Sequence, residues 1–348
     1  MTDEPADNDL SEADDRDVSE AGSETRSSRL GRLQIALALL ALFLMMLYRL
    51  GSSIVDPDVW HEMALVRKAA ELGRIPYRDH FSYMPTVFPS VHHEWGAGLI
   101  LYVLTQWFGG ISLVVLRFAL VLATIGLTWR NAREQGASWS SIVLLSVVAI
   151  QLMGDGFSTV RAQMYSFLFV TLFVHFCHVD RQGKRWWIVP WLVMYVLWIN
   201  LHAGFLVGAG LFFLYWLEQF VRKQPHRHLL WTGIAMFPLG LVTPYHWYFF
   251  RYLPDAVLLE RNYVAEWNNL WQQNDQILML LFGLSIAVFI YTLAQLGFAR
   301  CQGWPQVVIT ALAGASAVRM LPIFAVVWLA YVPAYLTRTR GGKFLDSF

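Results

Sequence analysis

The feature that most restricts this chain is a series of apolar runs, several of them reaching the roughly 17 to 25 residues needed to cross the hydrocarbon core of a bilayer. The first, "LQIALALLALFLMMLYRL" from Leu33, carries one charge. In lipid a backbone must satisfy its own hydrogen bonds, so runs like these predict an all-α, polytopic membrane protein. Charged residues make up 15% of the chain, well under the roughly 25% of ordinary soluble domains. The sixteen Trp and fourteen Tyr stand mostly at the ends of the runs, as expected of residues at lipid headgroups.

Composition also excludes some functions. Net charge is +1 and no basic block lies outside the membrane runs, which argues against nucleic acid as a partner. The first 30 residues are acidic and lack aromatics, so a tail over 1–32 is expected to be disordered and cytoplasmic. No basic start or small-residue cleavage site marks a signal peptide, so the run from Leu33 is expected to remain as a helix. Cys177 and Cys301 are the only cysteines, too few for a disulfide framework or a paired-cysteine metal site.

Lys and Arg near helix ends are retained on the cytoplasmic side. The segments "RSSRLGR", "RNAREQ" (130–135), "DRQGKR" (180–185), "RKQPHR" (222–227), Arg300 and "RTRGGK" (338–343) all fall on one side only if Gly96–Phe108 fails to cross. At about thirteen residues that piece is short for a span and suits an interfacial or re-entrant segment. Ten crossings follow, at 33–51, 111–129, 139–154, 163–178, 186–201, 203–220, 229–248, 277–297, 305–318 and 321–336. The transmembrane domain is then 33–337, with a cytoplasmic tail at 338–348 and a first outer loop at 52–110. The same topology puts the polar clusters outside: "DPD", "HHEW" (92–95), "GDGFSTVRAQ" (154–163), "NLH" (200–202), "TPYHWY" (243–248), "AEWNN" (265–269) and Arg319.

The first outer loop opens with a helix signal. Asp56 can cap, Pro57 suits the first helical position, Asp58 sits at the positive end of the dipole, and Gly73 ends the helix. Val59, Met63, Val66 and Ala70 form one apolar stripe, with His61, Glu62, Arg67, Lys68 and Glu71 elsewhere, which predicts a helix lying on the membrane surface. A cap needs one carboxylate, so Asp56 is accounted for by capping more readily than Asp58.

A "PD" leading into an amphipathic helix, then "G-x-I-P", then a short apolar piece ending in "FGG", then Arg117 early in the next helix, resembles the first outer loop of the GT-C superfamily of integral-membrane glycosyltransferases. The protein O-mannosyltransferases and aminoarabinose transferases are familiar members. The resemblance covers roughly residues 33–130. Val59 replaces an acidic residue often found after the aspartate, "HHEW" replaces a Lys-Pro-Pro-like stretch, and no soluble C-terminal domain follows. The resemblance implies inverting transfer of a sugar from a polyprenyl-phosphate-linked donor to a lipid or cell-envelope acceptor, at the outer face of a bacterial inner membrane. It also implies that the aspartate matching Asp58 is the catalytic carboxylate.

Such chemistry needs a base for the acceptor hydroxyl and cations for the leaving phosphate. Asp58 is the expected base, with Asp56 and Glu94 as further acids. Arg117, Arg161 and Arg319 are the expected phosphate ligands, since arginine at helix ends in lipid is costly unless paired or facing water. Arg251 and Arg261 serve equally well as headgroup anchors. His61, His93, His202 and Glu266 are further candidates for substrate contact. His61, His92, His93 and Glu94 together suit a divalent metal, in a superfamily where some enzymes use one and others do not. The "HFCH" at 175–178 is read as structural, and the "GAG" pieces at 96–98 and 208–210 as sites of close helix packing. Two other functions fit the composition: a transporter or flippase for a lipid or small solute, and a non-catalytic assembly subunit with the same fold.

Overall fold

The structure, a computed structural model, describes residues 31, 33–49, 51, 54–84, 86–259, 261 and 264–347. The acidic tail expected to be disordered lies outside them over 1–30. Among the described residues the regular secondary structure is helical apart from two strands of two residues each. A helix stands in each of the ten stretches expected to cross: α1 (Leu33–Arg49), α4 (Ile111–Glu134), α5 (Trp139–Ser158), α6 (Gln163–Arg181), α7 (Ile188–Leu201), α8 (Phe205–Val221), α9 (Arg227–Leu239), α11 (Gln276–Leu296), α12 (Trp304–Ser316) and α13 (Leu321–Thr337). Between them lie α2 (Pro57–Leu72), α3 (Trp95–Phe108) and α10 (Trp247–Leu258), with α14 (Arg340–Leu345) at the end. Three segments, Ile111–Glu134, Gln276–Leu296 and Val318–Thr337, are long and apolar enough to cross a membrane.

The core is organised around α13. Every residue from Leu321 to Leu336 is buried, so this helix is apolar all round because it is enclosed all round, by α4, α5, α6, α11 and α12. Its Trp328 is fully buried and donates Nε1–H to the carbonyl of Ser285 on α11 at 3.0 Å. By contrast α11 is equally apolar yet largely exposed.

Contacts sort the loops into two ends. At one, Arg222 donates to carbonyls of Phe298, Ala299 and Cys301, Arg338 to Gln135, and Asp180 accepts from Arg185, Trp187, Tyr215 and His228. This end gathers the Lys/Arg-bearing turns. The other end gathers Asp56, Glu94, Arg161, His202, Glu266 and Arg319, as the charge pattern predicts.

One expected element ends early. The run at 229–248 stops as a helix at Leu239, and a turn precedes α10. Pro244 disfavours the helical region for Thr243, and His246 takes a positive φ of 46°, so the chain bends before Trp247.

Candidate functional site

The head of α2 is built as the sequence reads. Asp56 accepts the backbone N–H of Asp58 at 3.0 Å, Pro57 opens the helix, and Gly73 closes it at φ 65°. Strand β1 (Ile54–Val55) pairs in parallel with β2 (Thr159–Val160), and the N–H of Asp56 continues the ladder to Val160. That pairing brings the start of α2 against Arg161, just past the end of α5.

Arg161 then joins two carboxylates. Its Nη2 lies 2.7 Å from Asp56 Oδ2 and its Nη1 2.8 Å from Glu266 Oε2. The other oxygen of Glu266 accepts Arg319 Nη1 at 3.0 Å, giving a chain Asp56–Arg161–Glu266–Arg319. Both oxygens of Asp56 are thus occupied, one by the cap and one by Arg161. Arg261 and Arg319 both stack on the ring of Trp267, each with its guanidinium carbon 4.4 Å from the centroid. The backbone of Arg319 is held by Gln163 Nε2 at 2.9 Å, and that of its neighbour Val318 by Asn268.

Beside this chain opens a cavity of about 870 Å³. It is lined by Asp58, His61 and Glu62 of α2, by His92, His93 and Glu94, by Gln163, by His202 to Val207, by one side of α10, and by Arg261, Glu266, Trp267 and Arg319. Asp58 differs from its neighbours in being unengaged: among the described residues its carboxylate makes no hydrogen bond or ion pair. Partial burial, then the negative charges of Asp56 and Glu94, raise its proton affinity above the usual aspartate value.

Across the cavity Glu94 is the acceptor for a ring of donors. The backbone N–H of Gly204 donates to His202 Nδ1 at 2.9 Å, so that nitrogen carries a lone pair. Ser166 Oγ accepts Trp198 Nε1–H at 2.7 Å and turns its own hydrogen on the same Nδ1, also at 2.7 Å. The ring proton of His202 is thereby assigned to Nε2, 3.4 Å from Glu94 Oε1. His93 is arranged alike: its Nδ1 pairs with the Tyr252 hydroxyl at 3.0 Å, and Nε2 stands 3.4 Å from Glu94. Burial lowers His202 to about 4, keeping it neutral at neutral pH.

The third partner of Glu94 is Glu62, which the amphipathic reading of α2 places on the polar side. It is turned inward because α2 crosses α3 closely: a Cβ on Gly98 would stand 2.8 Å from the carbonyl oxygen of Glu62, and one on Gly96 would stand 2.6 Å from that of Asn200. The small residues of "GAG" thus let α3 sit between α2 and α7, as expected, and Gly208 likewise meets the ring of Trp198. Glu62 hydrogen-bonds Glu94, while its Oε2 is buried without a partner among the described residues. Burial first, then the bond to Glu94 and its charge, push Glu62 far above the usual glutamate value. Burial would raise Glu94 as well, but the bond from Glu62 and the neighbouring His93 and His202 outweigh it and hold Glu94 low. One proton is therefore shared between two carboxyl groups, resident on Glu62. The signal in the sequence was an acid four residues beyond Asp58, on the same side of the helix.

The cavity thus collects Asp58, His61, His93, Glu94, His202, Glu266 and Arg319 from the sequence-predicted site residues. Asp56 and Arg161 stand just behind it, in the ion-pair chain. Arg117 does not line it: fully buried in α4, it donates to the carbonyl of Ser158 and lies over Phe118. Arg251 is exposed on α10, and His175 of "HFCH" bonds Glu134 at the basic end. For a metal, His61 and His92 pack ring to ring at 5.7 Å, while His93 turns toward Glu94. Among the described residues no group of three His, Cys, Asp or Glu converges on a metal-sized point.

In comparisons with known proteins, no family model, no curated protein and no solved structure matches this chain.

Proposed function

We propose that this chain is a membrane-embedded, inverting glycosyltransferase of the GT-C kind, using a polyprenyl-phosphate-linked sugar and working at the outer face of a bacterial inner membrane. In this reading the ten helices α1, α4 to α9 and α11 to α13 cross the bilayer, α2 lies on its surface, and the cavity opens outward. The observation that carries the proposal is the unengaged carboxylate of Asp58 facing the same cavity as Arg261 and Arg319.

The chemistry assigned to these residues is direct. The acceptor hydroxyl attacks the anomeric carbon from the face opposite the phosphate, and its proton passes to Asp58. The bond from the anomeric carbon to the phosphate oxygen breaks, and the electron pair leaves on the phosphate. Arg319 and Arg261 balance the charge that develops there. A partly buried carboxylate with raised proton affinity is the better base for this step. Glu94, held as an anion by its donors, is placed to orient an acceptor hydroxyl. Phe249, Leu253 and Val257 of α10 line the same cavity and supply an apolar wall for the carrier lipid.

A transporter would be expected to hold its polar site midway along broken helices. Here the acids and cations gather at helix ends, which favours the enzyme. Loss of the gene is expected to remove one sugar modification from cell-envelope polymers, read by mass spectrometry, and the wild-type gene to restore it. An unchanged glycan profile contradicts the proposal.

A further inference from the structure

The basic end of the bundle contains a second cavity, of about 580 Å³, between the ends of α4, α6, α11 and α13. Helix α6, 19 residues long and so about 28 Å from end to end, contributes Gln163 to the first cavity and Arg181 to the second. The two spaces therefore lie a bilayer's hydrocarbon thickness apart.

Three guanidinium groups line the second cavity: Arg181, Arg300 and Arg338. The one carboxylate in its lining, Glu134, is already matched by Arg130 at 2.8 Å and His175 at 3.0 Å. The cavity is thus left with excess positive charge. Arg181, its side chain only 10% exposed, lies over the rings of Tyr215 and Tyr331, and its Nε and Nη2 make no hydrogen bond among the described residues. Its nearest carboxylate oxygen, Glu218 Oε2 at 3.7 Å, accepts the N–H of Gly303 at 3.2 Å, while the other oxygen of Glu218 takes Arg222 at 3.0 Å. Arg338 spends one nitrogen on the carbonyl of Gln135. Arg300 is exposed, and among the described residues its side chain makes no hydrogen bond or ion pair.

Buried guanidinium N–H groups lacking acceptors, as on Arg181, are costly, and a cavity walled by this buried fork and the two exposed ones of Arg300 and Arg338 is shaped for an anion with several oxygens. Guanidinium presents paired donors that match phosphate oxygens. Leu296, Ala299 and Ala334 give the same lining an apolar part, suited to whatever the phosphate is esterified to. We propose that this cavity is a phosphate-binding site, taking the phosphate of a lipid headgroup or of a soluble phosphate compound at the end of the bundle opposite the sugar-transfer cavity. The site stands independently of that activity.

The full chain in nanodiscs of phosphatidylcholine tests it in two arms. One titrates phosphatidic acid into the discs and reads lipid retained by native mass spectrometry; the other titrates inorganic pyrophosphate and reads binding by calorimetry. Arg300→Gln is compared with wild type in both, and Arg300→Gln/Arg338→Gln is added as a stronger variant. Because the Arg300 side chain makes no hydrogen bond or ion pair among the described residues, the single variant is expected to stay folded and keeps the test valid should the double variant misfold. A lipid source predicts retention of phosphatidic acid weakened about tenfold or more by the substitutions, and a soluble source predicts the same loss for pyrophosphate. Failure of wild type to bind either probe, or binding that Arg300→Gln leaves unchanged in both arms, overturns the proposal. Because the readout is binding, neither result depends on whether the chain transfers sugar.

Discussion

The side chains of Glu62 and Glu94 meet where α2 crosses α3, Glu62 carrying the proton and Glu94 the charge. Since Glu62 is raised from its usual 4.5, the folded chain holds a proton that the unfolded chain releases. Stability from this residue is therefore full in acid and falls as pH climbs from the unfolded value toward the raised one. Glu94 is held below 4.5, so its contribution is present at neutral pH and lost on acidification through its lowered value. Above neutral pH the Glu62 effect dominates, with an upper bound of about 1.4 kcal/mol per pH unit. Glu62→Gln keeps a neutral donor toward Glu94 and cannot titrate. Its melting temperature in detergent is expected to stay flatter than wild type's between about pH 7 and about pH 9, and parallel curves would count against the shared proton.

Arg161 bridges Asp56 and Glu266 in a half-buried setting, so Arg161→Ala leaves two carboxylates short of a partner. Discounted for partial solvent screening, the expected loss is about 2–3 kcal/mol. Asp56→Asn keeps a capping side chain and is expected to cost less. The double variant should cost less than the sum of the singles, because each removes the same pair. Chemical denaturation of the four proteins measures the coupling, and strict additivity would mean that the pair contributes nothing.

Close helix crossings make a second contrast. Gly98→Ala places a methyl against the backbone of Glu62 and is expected to cost about 1–3 kcal/mol while loosening the cavity. Gly210→Ala meets nothing within 4 Å and is expected to be neutral or to stabilise by up to about 1 kcal/mol. Equal melting temperatures for the two variants would show that α2 and α3 are not held as closely as described.

Much of this was legible in the sequence where one local rule decides one feature. Asp56, Pro57 and Gly73 mark both ends of α2, and apolar runs place a helix in each of the ten stretches expected to cross. What was not legible depends on partners distant in sequence. Glu62 reads as a surface acid until Gly98 lets α3 approach its backbone, and strands β1 and β2 are too short to show alternation. Arg117 and Arg161 look alike as arginines at helix ends, yet one is enclosed in α4's packing and the other bridges carboxylates. The stop at Leu239 also lay beyond hydropathy, which runs unbroken past the bend that Pro244 and His246 impose.

Side of exposure is testable without any substrate. Ser82→Cys and Gln224→Cys are expected to react with an impermeant thiol reagent from opposite sides of the membrane. The native Cys177 and Cys301 are buried and give little background. Labelling of both introduced cysteines from one side would overturn the assignment of the cavity to the outer face.

The role of Asp58 is the centre of the account, and its carboxylate holds no contact that the fold needs. Asp58→Asn is therefore expected to change stability by no more than about 0.5 kcal/mol. The decisive measurement is mass spectrometry of envelope glycans from cells lacking the native gene and expressing either wild type or Asp58→Asn at matched membrane abundance. The modification is expected to return with wild type and not with the variant; its return with both would remove Asp58 from the chemistry.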